Sequence, residues 1–222
     1  LRISKLWLIT AAVTISGCLA FAITFYPRGP SDEEKFAVAA QRMKAYDTAD
    51  AGVTLVLTDK KDAGLAKIQE AHTLDPTIST PLYLLGTLAL ADGNPDAAIK
   101  QFDQALATDK YPEHIYNNRG VARMRAGDLK GAADDFDKAL AISPEFVNAR
   151  VNRGLLLLQQ GDLNGSIADF NAVLGDGAKP NRGIEPLIGR AIAKARLNDL
   201  AGAEQDLNVA VEWARAKDIR LN

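Results

Sequence analysis

Residues that supply catalysis and metal binding are scarce in this 222-residue sequence. It contains one cysteine, Cys18, and two histidines, His72 and His114. A single thiol cannot build a disulfide framework within the chain or a thiolate zinc site. The sequence also lacks a glycine-rich phosphate loop and any nucleophile placed beside a base in a recognisable motif. We therefore expect a protein that is not an enzyme and that has no metal or cofactor.

Strand-like patterning and an excess of positive charge are lacking too. Aromatic residues make up only 6% of the chain, and no alternation of apolar and polar residues persists along it. The formal net charge is −2, and every acidic residue lies beyond Pro30. Proteins that bind nucleic acid need basic surfaces to neutralise phosphates. These features favour an all-α protein and argue against a nucleic-acid partner.

One long apolar run stands out near the start of the chain. From Leu6 to Tyr26 it carries no charge, which corresponds to about 30 Å of helix, enough to cross a bilayer. Arg2 and Lys5 precede it, and positive charge stays on the cytoplasmic side of a membrane. We expect residues 1–30 to form an uncleaved, single-pass anchor and linker in a bacterial inner membrane, with the remaining chain in the periplasm.

Small residues form a possible packing face on this segment. Ala12, Ser16 and Ala20 follow one another at four-residue steps, and such faces pack against other membrane helices. Two alternatives to a retained anchor remain open. Residues 15–18 resemble a bacterial lipobox, in which Cys18 would be acylated, and residues 20–22 could serve as the cleavage site of a secretory signal.

The rest of the chain repeats itself. Glycines recur at intervals of 34 residues, and phenylalanines and alanines do the same. The recurring residues are Gly86, Gly120 and Gly154; Phe102, Phe136 and Phe170; and Ala71, Ala105 and Ala139. A fixed period of this length indicates stacked supersecondary units that cannot bury their apolar faces alone. After Gly154 the frame slips by three residues, which we assign to a longer loop in residues 175–183.

Each unit reads as two helices. In residues 113–146, apolar residues at helical spacing are interrupted at Gly127-Asp128 and then resume. The second helix ends at Ser143-Pro144, because the residue before proline is disfavoured in helical geometry. Ahead of the first unit, Ser31 and Glu34 have the spacing of a capping box, which predicts a helix that runs into that unit.

These motifs resemble the tetratricopeptide repeat. The resemblance is carried by a Leu-Gly or Arg-Gly pair, a Gly-Asp-Leu turn, the alanine and phenylalanine slots, and a closing Asp-Pro or Ser-Pro. It implies a right-handed superhelical solenoid of about five helix pairs within residues 31–222. The repeats begin near Ala45, Ser79, Glu113, Val147 and Ile184 and span 45–78, 79–112, 113–146, 147–180 and 184–217, numbered here as repeats 1 to 5.

By the same resemblance, the first helix of each repeat lines a concave groove that binds protein partners. Asn118 and Asn152 match a slot where related proteins hold a peptide main chain, because an amide both donates and accepts hydrogen bonds. For Leu155 and Leu158, packing between neighbouring helices is an open alternative. The groove residues expected to bind a partner are Tyr83, Thr87, Leu90, Asn117, Asn118, Val121, Met124, Arg125, Val151, Asn152, Leu155, Leu158, Gln159, Ile192 and Arg196.

Charge differs between the two helices of each later repeat. First helices are rich in arginine, whereas second helices carry acidic residues such as the pair Asp134-Asp135, expected on helix exteriors. Combined with the resemblance, this pattern implies a basic groove, an acidic outer face, and an acidic or apolar peptide segment as the partner. Arg119 and Arg153 are exceptions, because they occupy a slot that packs between helices with buried stems and solvated head groups.

The sequence thus predicts a membrane-anchored scaffold that mediates protein–protein interaction as an accessory or assembly subunit of a membrane complex. Its partners would be subunits of that complex, together with lipid around the N-terminal helix. The main alternative is a lipoprotein of similar fold, acylated at Cys18, that helps to assemble a pilus or an outer-membrane machine. A third reading is a regulatory component of an enzyme whose active site lies on another chain.

Overall fold

The computed structural model describes residues 30–175 and 183–216. Within these ranges the chain forms ten helices and no strand. They are α1 (Asp32–Leu57), α2 (Lys61–Leu74), α3 (Thr80–Ala91), α4 (Pro95–Leu106), α5 (Glu113–Ala126), α6 (Leu129–Ile142), α7 (Val147–Gln160), α8 (Leu163–Leu174), α9 (Glu185–Arg196) and α10 (Leu200–Ala216). The all-helical prediction is confirmed for this part of the chain.

The predicted membrane anchor lies outside the described residues. This applies to its proposed packing face of Ala12, Ser16 and Ala20, to Cys18, and to most of the loop expected in residues 175–183. Among the helices that are described, none combines the length and apolar character needed to span a bilayer.

The chain divides into two compact units, residues 1–44 and 45–222. In the described part of the first unit, α1 begins with the predicted capping box. The amide of Ser31 donates to Glu34 Oε2 at 2.6 Å, and the amide of Glu34 donates to Ser31 Oγ at 3.2 Å. The bond from the Ser31 amide to the Glu34 carboxylate is the main cause that lowers the pKa of Glu34. The reciprocal bonds satisfy two amides that a helix start leaves unpaired.

The second unit is a stack of helix pairs. From α3 onward, each first helix packs against the second helix of its own repeat, and each second helix packs against the first helix of the next. The first helices α3, α5, α7 and α9 also contact one another in order along the stack. The helix-pair solenoid predicted from the repeat period is therefore observed.

Close approach within each pair explains the glycine and phenylalanine slots. A Cβ atom added to Gly120 would lie 2.6 Å from Phe136 Cε1, and one added to Gly86 would lie 2.6 Å from Phe102 Cε1. Both phenylalanine rings are fully buried. The helices can reach this separation only because the glycines have no side chain, so the ring fills the space between them.

The turn inside each later repeat combines a helix stop with a helix start. Gly127, with φ at 88°, ends α5 in the left-handed conformation that glycine adopts without strain. The next residue, Asp128, accepts a hydrogen bond from the amide of Gly131 and caps α6. Asn94, Asp162 and Asp199 make equivalent caps. Repeat 1 departs from this arrangement, because Lys60 precedes α2 without a side-chain cap.

Candidate protein-binding groove

A cavity of about 470 Å³ opens on the first helices of repeats 2 to 5. We call it the groove. Four consecutive first helices, α3, α5, α7 and α9, contribute to its wall. Its lining consists of Thr87, Leu90, Asn117, Asn118, Val121, Val147, Asn148, Val151, Asn152, Glu185 and Pro186.

The structure brings only part of the predicted set together in this cavity. Thr87, Leu90, Asn117, Asn118, Val121, Val151 and Asn152 line it, whereas Tyr83, Met124, Arg125, Leu155, Leu158, Gln159, Ile192 and Arg196 do not. Four further residues line the cavity that were not predicted from the sequence: Val147, Asn148, Glu185 and Pro186. A usable signal existed for two of them, because Val147 and Asn148 lie one helical turn before Val151 and Asn152 and therefore share their face.

Side-chain amides connect the first helices across the groove. Asn152 Nδ2 donates to Asn117 Oδ1 at 2.9 Å, and Asn117 Nδ2 donates to Asn118 Oδ1 at 2.9 Å. Asn118 Nδ2 then donates to the hydroxyl of Tyr83 at 3.0 Å. We call these four residues the amide network. It joins α7, α5 and α3, so a single set of hydrogen bonds fixes polar groups from three repeats.

Members of the amide network differ in accessibility. Asn117 is only 5% exposed, whereas Asn118 and Asn152 are half-buried. An asparagine amide has two N–H donors and an oxygen with two lone pairs, and each network bond uses one donor. Asn118 and Asn152 therefore keep hydrogen-bonding capacity at the groove surface, while Asn117 serves mainly to orient them.

One end of the amide network rests on an aromatic contact. The rings of Tyr83 and His114 meet edge to face, with centroids 4.8 Å apart, and His114 Nε2 lies 3.8 Å from a carboxylate oxygen of Asp109. His114 is half-buried. It supports the ring whose hydroxyl closes the network. In the described ranges, no group of three or more His, Cys, Asp or Glu side chains is arranged to hold a metal ion.

Apolar residues predicted for the groove divide between its wall and the core. Val121 and Val151 are half-buried and line the cavity. Leu158 is 7% exposed and lies outside the lining, so packing between helices accounts for it. Leu155 is half-buried and Ile192 is exposed, both outside the cavity. Met124 packs against the buried cluster that contains Phe136.

Two arginines predicted to meet a partner instead bond to the preceding first helix. Arg125 Nη1 donates to the carbonyl oxygen of Leu90 at 3.0 Å, and Arg196 Nη1 donates to that of Leu158 at 3.0 Å. Carbonyls in the last turn of a helix lack partners within the helix, and cations are favourable there. These bonds tie α5 to α3 and α9 to α7. Gln159 occupies the same slot in repeat 4 and is exposed.

The expected basic groove is wrong for this cavity, because its lining includes no arginine or lysine and one carboxylate, that of Glu185. Arg119 packs between helices, as the sequence predicts, but its head group is paired with carboxylates rather than solvated. Arg119 Nε and Nη2 donate to both carboxylate oxygens of Asp135 at 2.9 and 2.6 Å. Its Nη1 donates to Asp103 of the preceding repeat at 2.5 Å. Asp135 is fully buried, so the expectation that it lies on a helix exterior is also wrong. The reason is the bidentate pairing, which makes burial of both charges tolerable.

The same arrangement recurs in the next two repeats. Arg153 pairs with Asp169 of its own repeat and Asp137 of the preceding one. Arg190 pairs with Asp206 and with the amide oxygen of Asn171. We call the Arg119, Arg153 and Arg190 pairs the arginine clamps. Each clamp connects one first helix to two successive second helices.

Bonds to their partners shift the pKa of three clamp residues, Arg119, Arg153 and Asp206. Burial alone would lower the pKa of Arg119, but its bonds to Asp135 and Asp103 outweigh burial and raise that pKa. The bond to Asp169 is the main cause that raises the pKa of Arg153. Burial would raise the pKa of Asp206, yet bonds from Arg190 and Lys194 lower it overall.

Comparisons with known proteins agree with this architecture. Residues 83–145 match the family model for the tetratricopeptide repeat. MamA from Desulfovibrio magneticus is similar in structure, with a TM-score of 0.67 and 18% identity over 79% of this chain and 97% of that chain. PilF from Pseudomonas aeruginosa has a TM-score of 0.67 and 19% identity over 77% of each chain. No curated protein sequence is significantly similar to the chain.

A third similar structure is that of YrrB, described as a tetratricopeptide-repeat protein with an unusual peptide-binding site. Its TM-score is 0.60 and its identity is 18%, over 80% of this chain and 90% of that chain. At such identities the likeness establishes the fold alone. The resemblance predicted from the sequence is confirmed for residues 83–145, which carry the tetratricopeptide repeat.

Proposed function

We propose that this tetratricopeptide-repeat protein binds an extended peptide segment of a partner protein in the groove. Domains of this kind mediate protein–protein interaction and bind proteins or peptides. The observation that carries the proposal for this chain is the amide network, which holds Asn118 and Asn152 at the groove surface. A network whose members are bonded to one another is rigid, so binding requires little ordering of the site.

The side-chain amides of the groove can bind the main chain of a peptide, but they do not select a particular side chain. An extended peptide presents N–H and C=O groups at regular intervals, and each asparagine can pair with either. Val121 and Val151 supply apolar contact beside the amides. The arginine clamps use most of the cations that suggested an acidic partner, and Glu185 lies in the lining. We therefore propose a neutral, mainly apolar segment.

We also propose a location and a biological context. Residues 1–30 would hold the chain in a bacterial inner membrane and place the repeats in the periplasm, where they would act as a non-enzymatic scaffold. The partner segment would belong to a subunit of a membrane complex that this protein helps to assemble. The apolar run from Leu6 to Tyr26 and the positive residues before it support this proposal.

Site-specific photo-crosslinking tests the groove. A photoreactive amino acid replaces Asn148, an exposed residue of the lining, in the tagged full chain within native membranes. The matched control carries it at Asp134, an exposed residue of a second helix. We expect one partner to crosslink at Asn148 but not at Asp134, and Asn118→Ala/Asn152→Ala to weaken that crosslink.

Equal crosslinking from Asp134 and Asn148 would show that contact does not depend on the groove. A crosslink at Asn148 that survives Asn118→Ala/Asn152→Ala would exclude the amides from binding. The mass of the N-terminal peptide from the same preparation distinguishes the retained anchor from the acylated Cys18 alternative. A lipoprotein is cleaved before its acylated cysteine, so the peptide would then begin at Cys18 and carry the mass of the lipid.

A further inference from the structure

A second, smaller cavity lies near the groove. Its volume is about 100 Å³, and it is lined by Val53, Val56, Leu57, Leu84, Thr87 and Leu88. We call it the apolar pocket. The lining comes from the end of α1 and from α3, the first helices of repeats 1 and 2. The surface that these side chains expose to the pocket is entirely apolar.

The apolar pocket and the groove share a wall. Thr87 lines both cavities, and it is the one residue with a polar side chain in the pocket lining. Its hydroxyl donates to the carbonyl oxygen of Tyr83 at 2.9 Å within α3. Because that bond uses the hydroxyl hydrogen, the pocket offers a ligand no free N–H or O–H donor from its lining.

Leu84 makes the apolar pocket chemically different from the groove. It precedes Asn118 by 34 residues and therefore occupies the slot that holds an amide in repeats 3 and 4. In repeats 3 and 4 the residue at this slot is an asparagine that lines the groove. In repeat 2 it is Leu84, which lines the apolar pocket. Leu57, another member of the pocket lining, is 80% exposed, so a large apolar side chain there faces solvent.

We propose that the apolar pocket binds one aliphatic side chain of the same peptide segment that the amide network holds. This inference rests on the proposed function. Continuity through Thr87 places the pocket on the path of a chain leaving the amides toward repeat 1. A charged or polar side chain would lose its hydration without gaining a hydrogen bond, so the pocket selects against it. The partner is thus an extended segment with an aliphatic residue at a fixed distance from the part held by Asn118.

Selection from a library of random linear peptides tests the proposal. The purified full chain, in a detergent-free preparation, is compared with Leu84→Ala, which enlarges the pocket, and with Asn118→Ala/Asn152→Ala, which removes the amides. We expect the native chain to enrich peptides that share an aliphatic residue at one position. Changing that residue to alanine should weaken binding about tenfold or more, the effect of withdrawing a buried aliphatic side chain.

The Leu84→Ala variant supplies the specific readout. An enlarged pocket should move the preference at that position toward larger apolar residues, with the rest of the selected sequence unchanged. Peptides without a shared aliphatic position, or a preference unaffected by Leu84→Ala, would overturn the pocket while leaving the groove proposal standing. If the selected peptides bind Asn118→Ala/Asn152→Ala as well as the native chain, the proposed function itself fails. Circular dichroism confirms that each variant retains the native helical content.

Discussion

Repeats 2 and 3 share one backbone arrangement and differ at its centre. Where repeat 3 has Arg119 and the fully buried Asp135, repeat 2 has Leu85 and Gln101 at the same two slots. Arg119 forms a bidentate pair, whereas the side-chain oxygen of Gln101 is buried without a hydrogen-bond partner. Both repeats nevertheless keep the same contact between glycine and phenylalanine.

This difference separates the contact that forms a helix pair from the bonds that align neighbouring pairs. The glycine–phenylalanine contact is common to both repeats, so it suffices for close packing within a pair. An arginine clamp adds a bond to the preceding repeat, as between Arg119 and Asp103. Buried ion pairs contribute little net stability relative to apolar replacements, yet breaking one partner is costly. The clamps therefore act mainly on the alignment of repeats 2 to 5.

The largest effect is expected from breaking one clamp. Arg119→Leu leaves the buried Asp135 with Arg123 as its remaining cation, and we expect a loss of about 3 kcal/mol in the free energy of opening. Adding Asp135→Gln reproduces the pair of repeat 2 and should recover most of that loss. Hydrogen-exchange mass spectrometry of α5 and α6 measures both variants. A double variant as unstable as the single one would contradict the equivalence of the two pairs.

Substitution of Gly86 and Gly120 tests the glycine–phenylalanine contact that repeats 2 and 3 share. Gly86→Ala and Gly120→Ala each place a Cβ atom 2.6 Å from a buried ring, so each should destabilise by about 1–3 kcal/mol. Gly154→Ala, where the distance is 2.9 Å, should cost less. Thermal unfolding measures the series, and Phe136→Leu combined with Gly120→Ala should recover part of the loss. Unequal effects at Gly86 and Gly120 would show that the clamp alters pair packing.

The pH dependence of stability should also distinguish the repeats that have an arginine clamp from repeat 2, and we expect this effect to be smaller than the previous two. The pKa of Asp206 is lowered in the folded state. Its contribution to stability is therefore present above the unfolded-state pKa of about 4 and is lost as pH falls through the folded-state pKa. The Asp206→Asn variant should therefore be less stable than the native chain at about pH 7, and the difference in stability should shrink as pH falls below about 4. Thermal unfolding across this range measures the difference, and Gln101→Ala, which changes a neutral slot, should show no such dependence on pH. A difference independent of pH would mean that Asp206 acts through packing rather than charge.

The smallest effect concerns repeat 1, which lacks the cap of the other repeats. Lys60→Asp would place a carboxylate where Asp128 caps α6, and we expect a gain of about 0.5–1 kcal/mol. A rise in the thermal midpoint relative to Lys60→Ala measures it. No difference between these two variants would show that the start of α2 cannot form the cap.

The amino-acid sequence by itself determined the elements and their order. Spacing at 34 residues, breaks such as Gly127-Asp128 and the capping box at Ser31 predict helix starts and stops because they depend on interactions within one turn or one pair. The alternation of glycine and phenylalanine slots likewise predicts the close packing inside each repeat. The groove residues were predicted from the family resemblance, and Asn118 and Asn152 are among the seven of them that line the cavity.

Only the tertiary structure decided which polar groups meet. Arg119 and Asp135 lie 16 residues apart on antiparallel helices, and Asp103 belongs to another repeat, so no helical period within one segment joins them. Arg125 was assigned to the groove, yet it bonds to the carbonyl of Leu90, a partner that becomes available only where α3 ends beside α5. Short-range periodicity fixes which face of a helix a residue occupies. Whether that face meets solvent, a carboxylate or a neighbouring helix end depends on the distance between helices, which stacking sets.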